Sequence, residues 1–137
     1  MLVDVALVAD QLPVASLKER MALKRTRHIE DSIQRYVVIW CKQHPNKLYH
    51  GIFHIPNGEL RDKITAIRLK KMGVKAGVCD LCLPLPDGRT FWLELKTKTG
   101  RLSAIQKEFI GELEALGHIV KVAYGYEQAI EILEGIK

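Results

Sequence analysis

The sequence has no apolar run that approaches the ~20 residues needed to span a membrane. Its first ten residues, MLVDVALVAD, are apolar, but they include two acids and lack the basic leader of a secretory signal. Internal repeats and low-complexity segments are also missing. We therefore expect a globular protein without a membrane partner.

Cysteine is scarce. Three cysteines in a chain of 137 residues cannot all pair, and nothing in the sequence suggests secretion. A reducing cytoplasm is therefore the expected location. The length suits a single domain with one hydrophobic core.

The few cysteines nevertheless leave one alternative open. Cys41 with His44, and Cys79 with Cys82, have the spacing that zinc ligands use. Both pairs together would make the chain a zinc-stabilised binding module. Residues 79 and 82 would, however, fall on opposite faces of a strand, which splits the second pair.

Acidic residues are outnumbered by lysine and arginine, 16 to 21, which leaves a net charge of +5. The basic residues concentrate in two clusters: Lys18, Arg20, Lys24, Arg25 and Arg27, and then Arg61, Lys63, Arg68, Lys70, Lys71 and Lys75. A solvated helical face explains either cluster alone. A polyanion partner explains both, and an acidic metal site in the same chain would favour that interpretation.

Hydrophobic periodicity predicts alternating helices and strands. A helix capped by Ser16 and Glu19 is followed by a second helix over 28–42. The segment LYHGIFHI predicts an edge strand, and 60–71 predicts a basic amphipathic helix. Strand 91–96, helix 103–116 and strand 119–124 form one βαβ unit, in which Leu116 should face the core. A further helix follows the last strand.

The residues best suited to catalysis lie within 77–106. Strand side chains alternate between faces, so Glu94 and Lys96 project to one side while their apolar neighbours form the core side. A Glu-x-Lys pair on a strand is most often a solvent-facing salt bridge. Asp80, on the preceding strand, changes that interpretation if pairing places it opposite Glu94.

The connection between the two strands decides this register. A two-residue turn at Asp87 would set Asp80 opposite Leu95 and send the two acids to different faces. The prolines at 84 and 86 interrupt such a hairpin, because proline cannot donate a ladder hydrogen bond. We therefore predict a three- or five-residue connection that places Asp80 opposite Glu94.

Two carboxylates placed this close repel each other unless a proton or a cation lies between them. Mg²⁺ is bound by one or two carboxylates together with water and substrate phosphate. An adjacent lysine can stabilise the negative charge that develops on a phosphate under attack. Asp80, Glu94 and Lys96 therefore outline a phosphodiester-cleaving site.

The order Asp80, Glu94-Leu95-Lys96, and then Gln106 at a helix start resembles the PD-(D/E)xK nuclease signature. More narrowly, it is similar to the VRR-NUC branch, the virus-type replication-repair nucleases, from about residue 30 onward. Cys79 stands where the eponymous proline would be. The resemblance implies an α/β, restriction-endonuclease-like core: a mixed sheet of about four strands flanked by helices, in αβββαβ order. We assign residues 28–137 to this nuclease domain and 1–27 to an extra N-terminal arm or helical segment.

The resemblance further implies a DNA endonuclease that depends on Mg²⁺ or Mn²⁺. Asp80 and Glu94 would bind the metal with the Leu95 backbone carbonyl, and Lys96 would stabilise developing charge. Gln106 and Glu30 are expected to join them as catalytic residues. Each also has a structural explanation, since Gln106 completes a capping box and Glu30 is favoured near a helix N-terminus.

DNA contacts are expected from Lys98, Arg101, Asn57, Lys70, Lys71 and Lys75. Turn geometry explains Asn57 equally well. We expect a homodimer that acts on branched DNA, because twofold symmetry presents two active sites to two strands. A monomeric nickase and a DNA-binding protein with an inactive site are the alternatives.

Overall fold

The computed structural model describes residues 16–57 and 62–136. The apolar N-terminal segment that the sequence suggested as an interface, and Arg61 of the second basic cluster, lie outside these residues. None of the helices in the described ranges has the length and apolar character of a membrane span.

One helix, α1, spans Leu17–Gln43, where the sequence predicted two. It begins with the predicted capping box: the Ser16 hydroxyl accepts from the Glu19 amide, and the Glu19 carboxylate accepts from the Ser16 amide at 2.8 Å. No glycine or proline interrupts the helix, so nothing ends it near residue 27. Pro45 does end it, because the residue before a proline avoids the helical conformation.

The segment predicted as a single strand over 48–55 is instead a 3₁₀ turn, Lys47–Gly51, followed by a two-residue strand, β1, Phe53–His54. Asn46 caps the turn, since its side-chain oxygen accepts from the Leu48 amide at 3.0 Å. Tyr49 is buried, and its hydroxyl donates to the Leu133 carbonyl at 2.7 Å. This buried anchor draws the chain inward and leaves little of it to pair as a strand.

The described residues form a mixed, four-stranded sheet, as predicted, and its strands lie in the order β1-β2-β3-β4. Strand β2 spans Leu81–Pro84, β3 spans Thr90–Lys96 and β4 spans Ile119–Tyr124. The first three strands are antiparallel, and β4 runs parallel to β3. Strand β1 is at the edge, as expected.

Helices cover both faces of the sheet. Helix α2 spans Lys63–Lys71, α3 spans Ala104–Ala115 and connects β3 to β4, and α4 spans Tyr126–Glu134. The core lies between the sheet and helices α1 and α4, and includes Val37, Leu81, Leu83, Phe91, Leu93, Leu95, Ala129 and Leu133. Helix α3 packs on the other face, where Phe109 meets Trp92 edge to face at 5.6 Å.

Leu116 does not face the core, contrary to the sequence prediction, and is 76% exposed. Helix α3 ends one residue earlier, and Gly117 adopts a φ of +88°. The Gly117 and His118 amides donate to the Glu114 and Leu113 carbonyls, which is the hydrogen-bond pattern of a Schellman turn. The turn directs Leu116 into solvent.

Candidate active site

The hairpin register brings Asp80 and Glu94 together, as predicted. Strand β2 pairs Leu81 with Leu93, and the same register continued by one residue places Asp80 opposite Glu94. The connection covers residues 85–89. The Leu95 amide donates a 2.8 Å hydrogen bond to Asp80 Oδ2, which holds that carboxylate beside β3.

Glu94 is a buried carboxylate with one oxygen in use. Its side chain lies beneath the start of α3, and the residue is only 2% exposed. Oε1 accepts a 2.8 Å hydrogen bond from Gln106 Nε2 and lies 3.5 Å from Lys96 Nζ. Oε2 is buried and has no hydrogen-bond partner within the described ranges. Because a buried, unpaired oxygen is costly, this atom is suited to a ligand that the protein itself does not supply.

The pKa values of both acids reflect this crowding. Burial and, to a smaller extent, the negative charge of Asp80 raise the pKa of Glu94 to about 8, against the opposing effect of Lys96. Burial also raises the pKa of Asp80, while the Leu95 amide and the Lys96 charge oppose the shift. Either a proton or a cation relieves the repulsion between such a pair. A divalent ion would displace the proton as it binds.

Gln106 makes both of the contacts that the sequence offered as alternatives. The Gln106 backbone amide donates to the Ser103 hydroxyl at 3.1 Å, and the Gln106 side-chain oxygen accepts from the Ser103 backbone amide at 2.9 Å. These two bonds form the capping box of α3. Its side-chain nitrogen is thereby left to donate to Glu94. The helix cap therefore also orients the buried carboxylate.

Glu30 reaches the same cluster from α1. Burial raises its pKa, and the charge of Lys96 and a hydrogen bond from the Thr97 amide lower it. The charge of Asp80 raises it as well. These interactions place the Glu30 carboxylate near the end of β3, with Asp80 and Lys96. Its catalytic role remains a prediction.

Two residues near the site were not selected from the sequence. Asp31 adds negative charge that raises the pKa of both Asp80 and Glu30. His54 Nδ1 donates to the Asp80 backbone carbonyl at 2.7 Å, and the charge of its ring lowers the Asp80 pKa. Asp31 could have been suspected from its place beside Glu30. His54 could not, because only the pairing of β1 with β2 brings it to Asp80.

The predicted DNA contacts occupy different surroundings. Lys98 and Arg101 are exposed in the loop between β3 and α3, and Lys70 and Lys71 are exposed on α2. Lys75 is ion-paired with Glu112 at 2.7 Å and lies over the Phe109 ring, so its charge is partly neutralised.

Asn57 lies where the chain leaves the sheet. Its amide donates to the Ile55 carbonyl at 2.8 Å. Its side-chain oxygen is buried without a hydrogen-bond partner in the described part of the chain. The backbone bond is what a turn residue makes, and a DNA contact for Asn57 stays a prediction.

The structure gives no support to a zinc-stabilised module. All three cysteines are buried free thiols, and burial raises the pKa of Cys41 and Cys79 to about 12 and that of Cys82 to about 11. Across 16–57 and 62–136, no three or more His, Cys, Asp or Glu side chains are arranged to hold a metal ion. A structural zinc site needs four such ligands. Mg²⁺, by contrast, needs only one or two protein carboxylates, because water completes its coordination.

The family model of the VRR-NUC domain matches residues 16–127. This chain belongs to the VRR-NUC family. A solved structure described as a VRR_NUC domain protein is similar to it, with 30% identity, a TM-score of 0.66, and coverage of 77% of this chain and 85% of that one. A comparison with curated proteins gave no match.

Membership in the VRR-NUC family makes this chain a nuclease-type, DNA-processing domain. Nucleases of this family generally depend on divalent metals. The match begins at residue 16, where α1 is capped, and so includes part of the segment that the sequence assigned to an arm. The predicted fold, a mixed sheet flanked by helices, is confirmed, and the predicted N-terminal helix is the first part of α1.

Proposed function

We propose that this VRR-NUC chain is a DNA endonuclease that requires Mg²⁺ or Mn²⁺ and prefers branched DNA in replication, repair or recombination. One observation supports this most strongly. Asp80 and Glu94 lie opposite each other, and Glu94 retains a buried oxygen without a partner in the described residues. A buried acid pair with Lys96 beside it matches the needs of phosphodiester hydrolysis.

Asp80, Glu94 and the Leu95 backbone carbonyl would hold the metal ion. Once bound, a divalent ion supplies a water of lowered pKa and polarises the scissile phosphate. The Leu95 amide and Gln106 each occupy one carboxylate oxygen, on Asp80 and Glu94 respectively. Both acids are thereby fixed before any ligand arrives, which reduces the ordering cost of binding.

Lys96 would stabilise the phosphate. Its side chain is only 11% exposed and lies 3.5 Å from Glu94 Oε1, so its ammonium group is held in a poorly hydrated site. In such a site a fixed positive charge stabilises developing negative charge more strongly than it would in water. Glu30 would complete the acidic side of the site from α1, and Lys98 and Arg101 would contact the DNA backbone beyond it.

The experiment is a cleavage assay on purified protein. A four-way junction, a flap and a plain duplex of equal length are each incubated with Mg²⁺, with Mn²⁺ and with EDTA. We expect cleavage only with the divalent ions, and faster cleavage of the junction than of the duplex. Failure to cut any of these substrates with either ion would refute the proposal.

We further propose that the chain works as a homodimer. One acid pair cuts one strand, whereas a symmetric resolution of a junction needs two cuts. Closed twofold symmetry is the commonest way for a small protein to present two sites. The competing hypothesis is a monomer that nicks one strand.

A further inference from the structure

Helix α2 exposes apolar side chains that the rest of the described chain, 16–57 and 62–136, does not bury. None of its residues is buried, and Ile64 and Ile67 are 82% and 57% exposed. These residues lie three apart and therefore share one face of the helix. The half-buried residues of α2, Thr65, Ala66 and Leu69, lie on the opposite face. Contiguous apolar patches with a polar rim mark interaction sites, whereas single exposed apolar residues are ordinary.

Basic residues surround this apolar pair. Helix α2, KITAIRLKK, contains four basic residues and no acid: Lys63, Arg68, Lys70 and Lys71. Lys71 follows Ile64 and Ile67 on the same face at helical spacing. The surface formed by Ile64, Ile67, Arg68, Lys70 and Lys71, here named the α2 outer face, thus combines an apolar centre with a positively charged border.

The α2 outer face belongs to a segment that begins and ends beside the acid pair. The chain leaves the sheet after His54 and returns at Leu81, and these two residues are paired with each other. The Ile55 amide donates to the Asp80 carbonyl at 3.1 Å, which joins the two ends of the segment directly. Both ends of the segment that contains α2 therefore lie at Asp80, beside the acid pair.

The part of this segment that follows α2 is anchored to α3. The ion pair between Lys75 and Glu112 of α3, at 2.7 Å, is the first anchor. Gly77 adopts a φ of +81° and packs so tightly that an added Cβ would lie 2.6 Å from an Ile105 side-chain carbon. The stretch that follows α2 is thus fixed to α3, the helix whose first turn holds Gln106 against Glu94.

The charge of α2 decides between possible partners. A second copy placed on a twofold axis would bring two helices without acids against each other, and their like charges would repel. An anionic membrane surface would attract such a helix, but it would not explain why both ends of the segment lie beside the acid pair. DNA satisfies both the charge and the location, since apolar side chains can be wedged between base steps while lysine and arginine hold the phosphates.

We propose that the α2 outer face inserts Ile64 and Ile67 into an unstacked base step of the DNA, while Arg68, Lys70 and Lys71 bind the flanking phosphates. This inference rests on the proposed nuclease function and names the substrate feature that the site selects. Opening a base step costs least where stacking is already broken, as at a branch or a bulge. The helix therefore directs the acid pair toward distorted DNA and away from plain duplex.

The test measures binding of the full chain in EDTA, so that it does not depend on cleavage. Fluorescence anisotropy gives the Kd for a four-way junction, a duplex with a two-base bulge and a plain duplex. We expect Ile64→Ser/Ile67→Ser to weaken junction and bulge binding about tenfold, which is about 1.4 kcal/mol, and to change duplex binding by less than about twofold. Lys70→Gln/Lys71→Gln should weaken binding to all three, because phosphate contacts carry no shape information.

Two variants control for surface hydrophobicity and folding. Leu116→Ser removes a similarly exposed apolar residue next to β4, at the opposite end of the sheet, and should leave all three Kd values unchanged. Ile64→Leu/Ile67→Leu keeps an apolar wedge and should bind like the wild type. Circular dichroism should show the same helix content for all variants, since the changed side chains are exposed.

Several results would overturn the inference. The serine double variant could bind junctions as tightly as the wild type, or lose junction and duplex binding equally. It could instead lose binding to vesicles containing phosphatidylserine, or dissociate a dimer in light scattering, and either would assign α2 to another partner. If one of these results is found for the variants and the wild-type protein still cleaves DNA, the inference about α2 fails but the proposed nuclease function stands. A wild-type protein that neither binds nor cleaves DNA would remove the function itself.

Discussion

At the scale of single residues, Glu94 combines near-complete burial, a raised pKa and an oxygen without a partner in the described ranges. Burial of a carboxylate and a buried oxygen without a partner each lower the free energy of unfolding. Gln106 and Lys96 offset part of that cost at Oε1, and neither reaches Oε2. The acid is therefore held in a state that a divalent cation would stabilise.

Glu94 should make the metal-free protein less stable as the pH rises. Its folded-state pKa is about 8, whereas the unfolded chain keeps an ordinary value near ~4.3. Between these values the folded protein binds a proton that the unfolded chain has lost. The resulting stability is fully present below the lower pKa and is lost as the pH rises through the upper one.

The measurement is thermal unfolding in EDTA at pH 5 and pH 8. The glutamine of Glu94→Gln stays neutral at both pH values. We therefore expect the Tm of Glu94→Gln minus the Tm of the wild type to be larger at pH 8 than at pH 5 by about 3 °C or more, which corresponds to about 1 kcal/mol. Glu114→Gln changes an exposed glutamate on the same side of the sheet and should show no such trend. An equal Tm difference at both pH values would contradict the raised pKa.

Lys96 should be needed for cleavage and not for metal binding, because an ammonium group cannot be a metal ligand. We expect Lys96→Ala to lose cleavage while calorimetric titration still shows Mn²⁺ binding. Asp80→Ala provides the comparison and should lose both. If Lys96→Ala loses Mn²⁺ binding as completely as Asp80→Ala, the division of roles between lysine and carboxylates is wrong.

At the scale of secondary-structure elements, the first turn of α3 connects helix capping to the site. Ser103→Ala should destabilise the protein by about 1 kcal/mol, as loss of an N-cap does. It should also weaken Mn²⁺ binding, because the Gln106 backbone amide loses its acceptor and the helix turn from which the Gln106 side chain reaches Glu94 is then less firmly held.

Helix α1 offers a matched control, since Ser16 and Glu19 form the same capping box away from the acid pair. Ser16→Ala should have a comparable cost in unfolding free energy with no effect on Mn²⁺ affinity. Equal effects of the two variants on metal affinity would show that the α3 cap has no special connection to the site. Urea denaturation and calorimetry supply the two quantities.

The hairpin register could be predicted from sequence because the residues that determine it lie close together in the chain. The prolines at 84 and 86 exclude a two-residue turn, and alternation then places Asp80 opposite Glu94. The capping boxes at Ser16 and Ser103 are local in the same way, since each is contained within four residues.

The rest depends on contacts between distant residues. The 3₁₀ turn at 47–51 is stabilised by Tyr49 reaching Leu133, 84 positions away. The sequence predicted that Glu94 and Lys96 share the face of β3 opposite the core side, but not that α3 covers this face and buries Glu94. Periodicity identifies which residues share a face of a strand, and not which helix covers that face.

At the scale of the whole molecule, assembly and substrate choice are linked. If the chain is a homodimer, light scattering at micromolar concentration should give twice the chain mass, and junctions should be cut on two strands. Plain duplex should be cut more slowly, since it lacks the branch to which two sites can be matched. A strict monomer that cuts duplex as fast as a junction would contradict both expectations.

The central claim is that the Asp80–Glu94 pair performs metal-dependent cleavage, and Glu94→Ala tests it most directly. The measurement is the single-turnover rate of junction cleavage in Mg²⁺ or Mn²⁺, with Glu114→Ala as the control for loss of an exposed glutamate. We expect Glu94→Ala to lose at least about a thousandfold in rate, or about 4 kcal/mol of transition-state stabilisation, while its DNA binding in EDTA and the control rate remain unchanged. Cleavage by Glu94→Ala at the wild-type rate would show that the active site lies elsewhere.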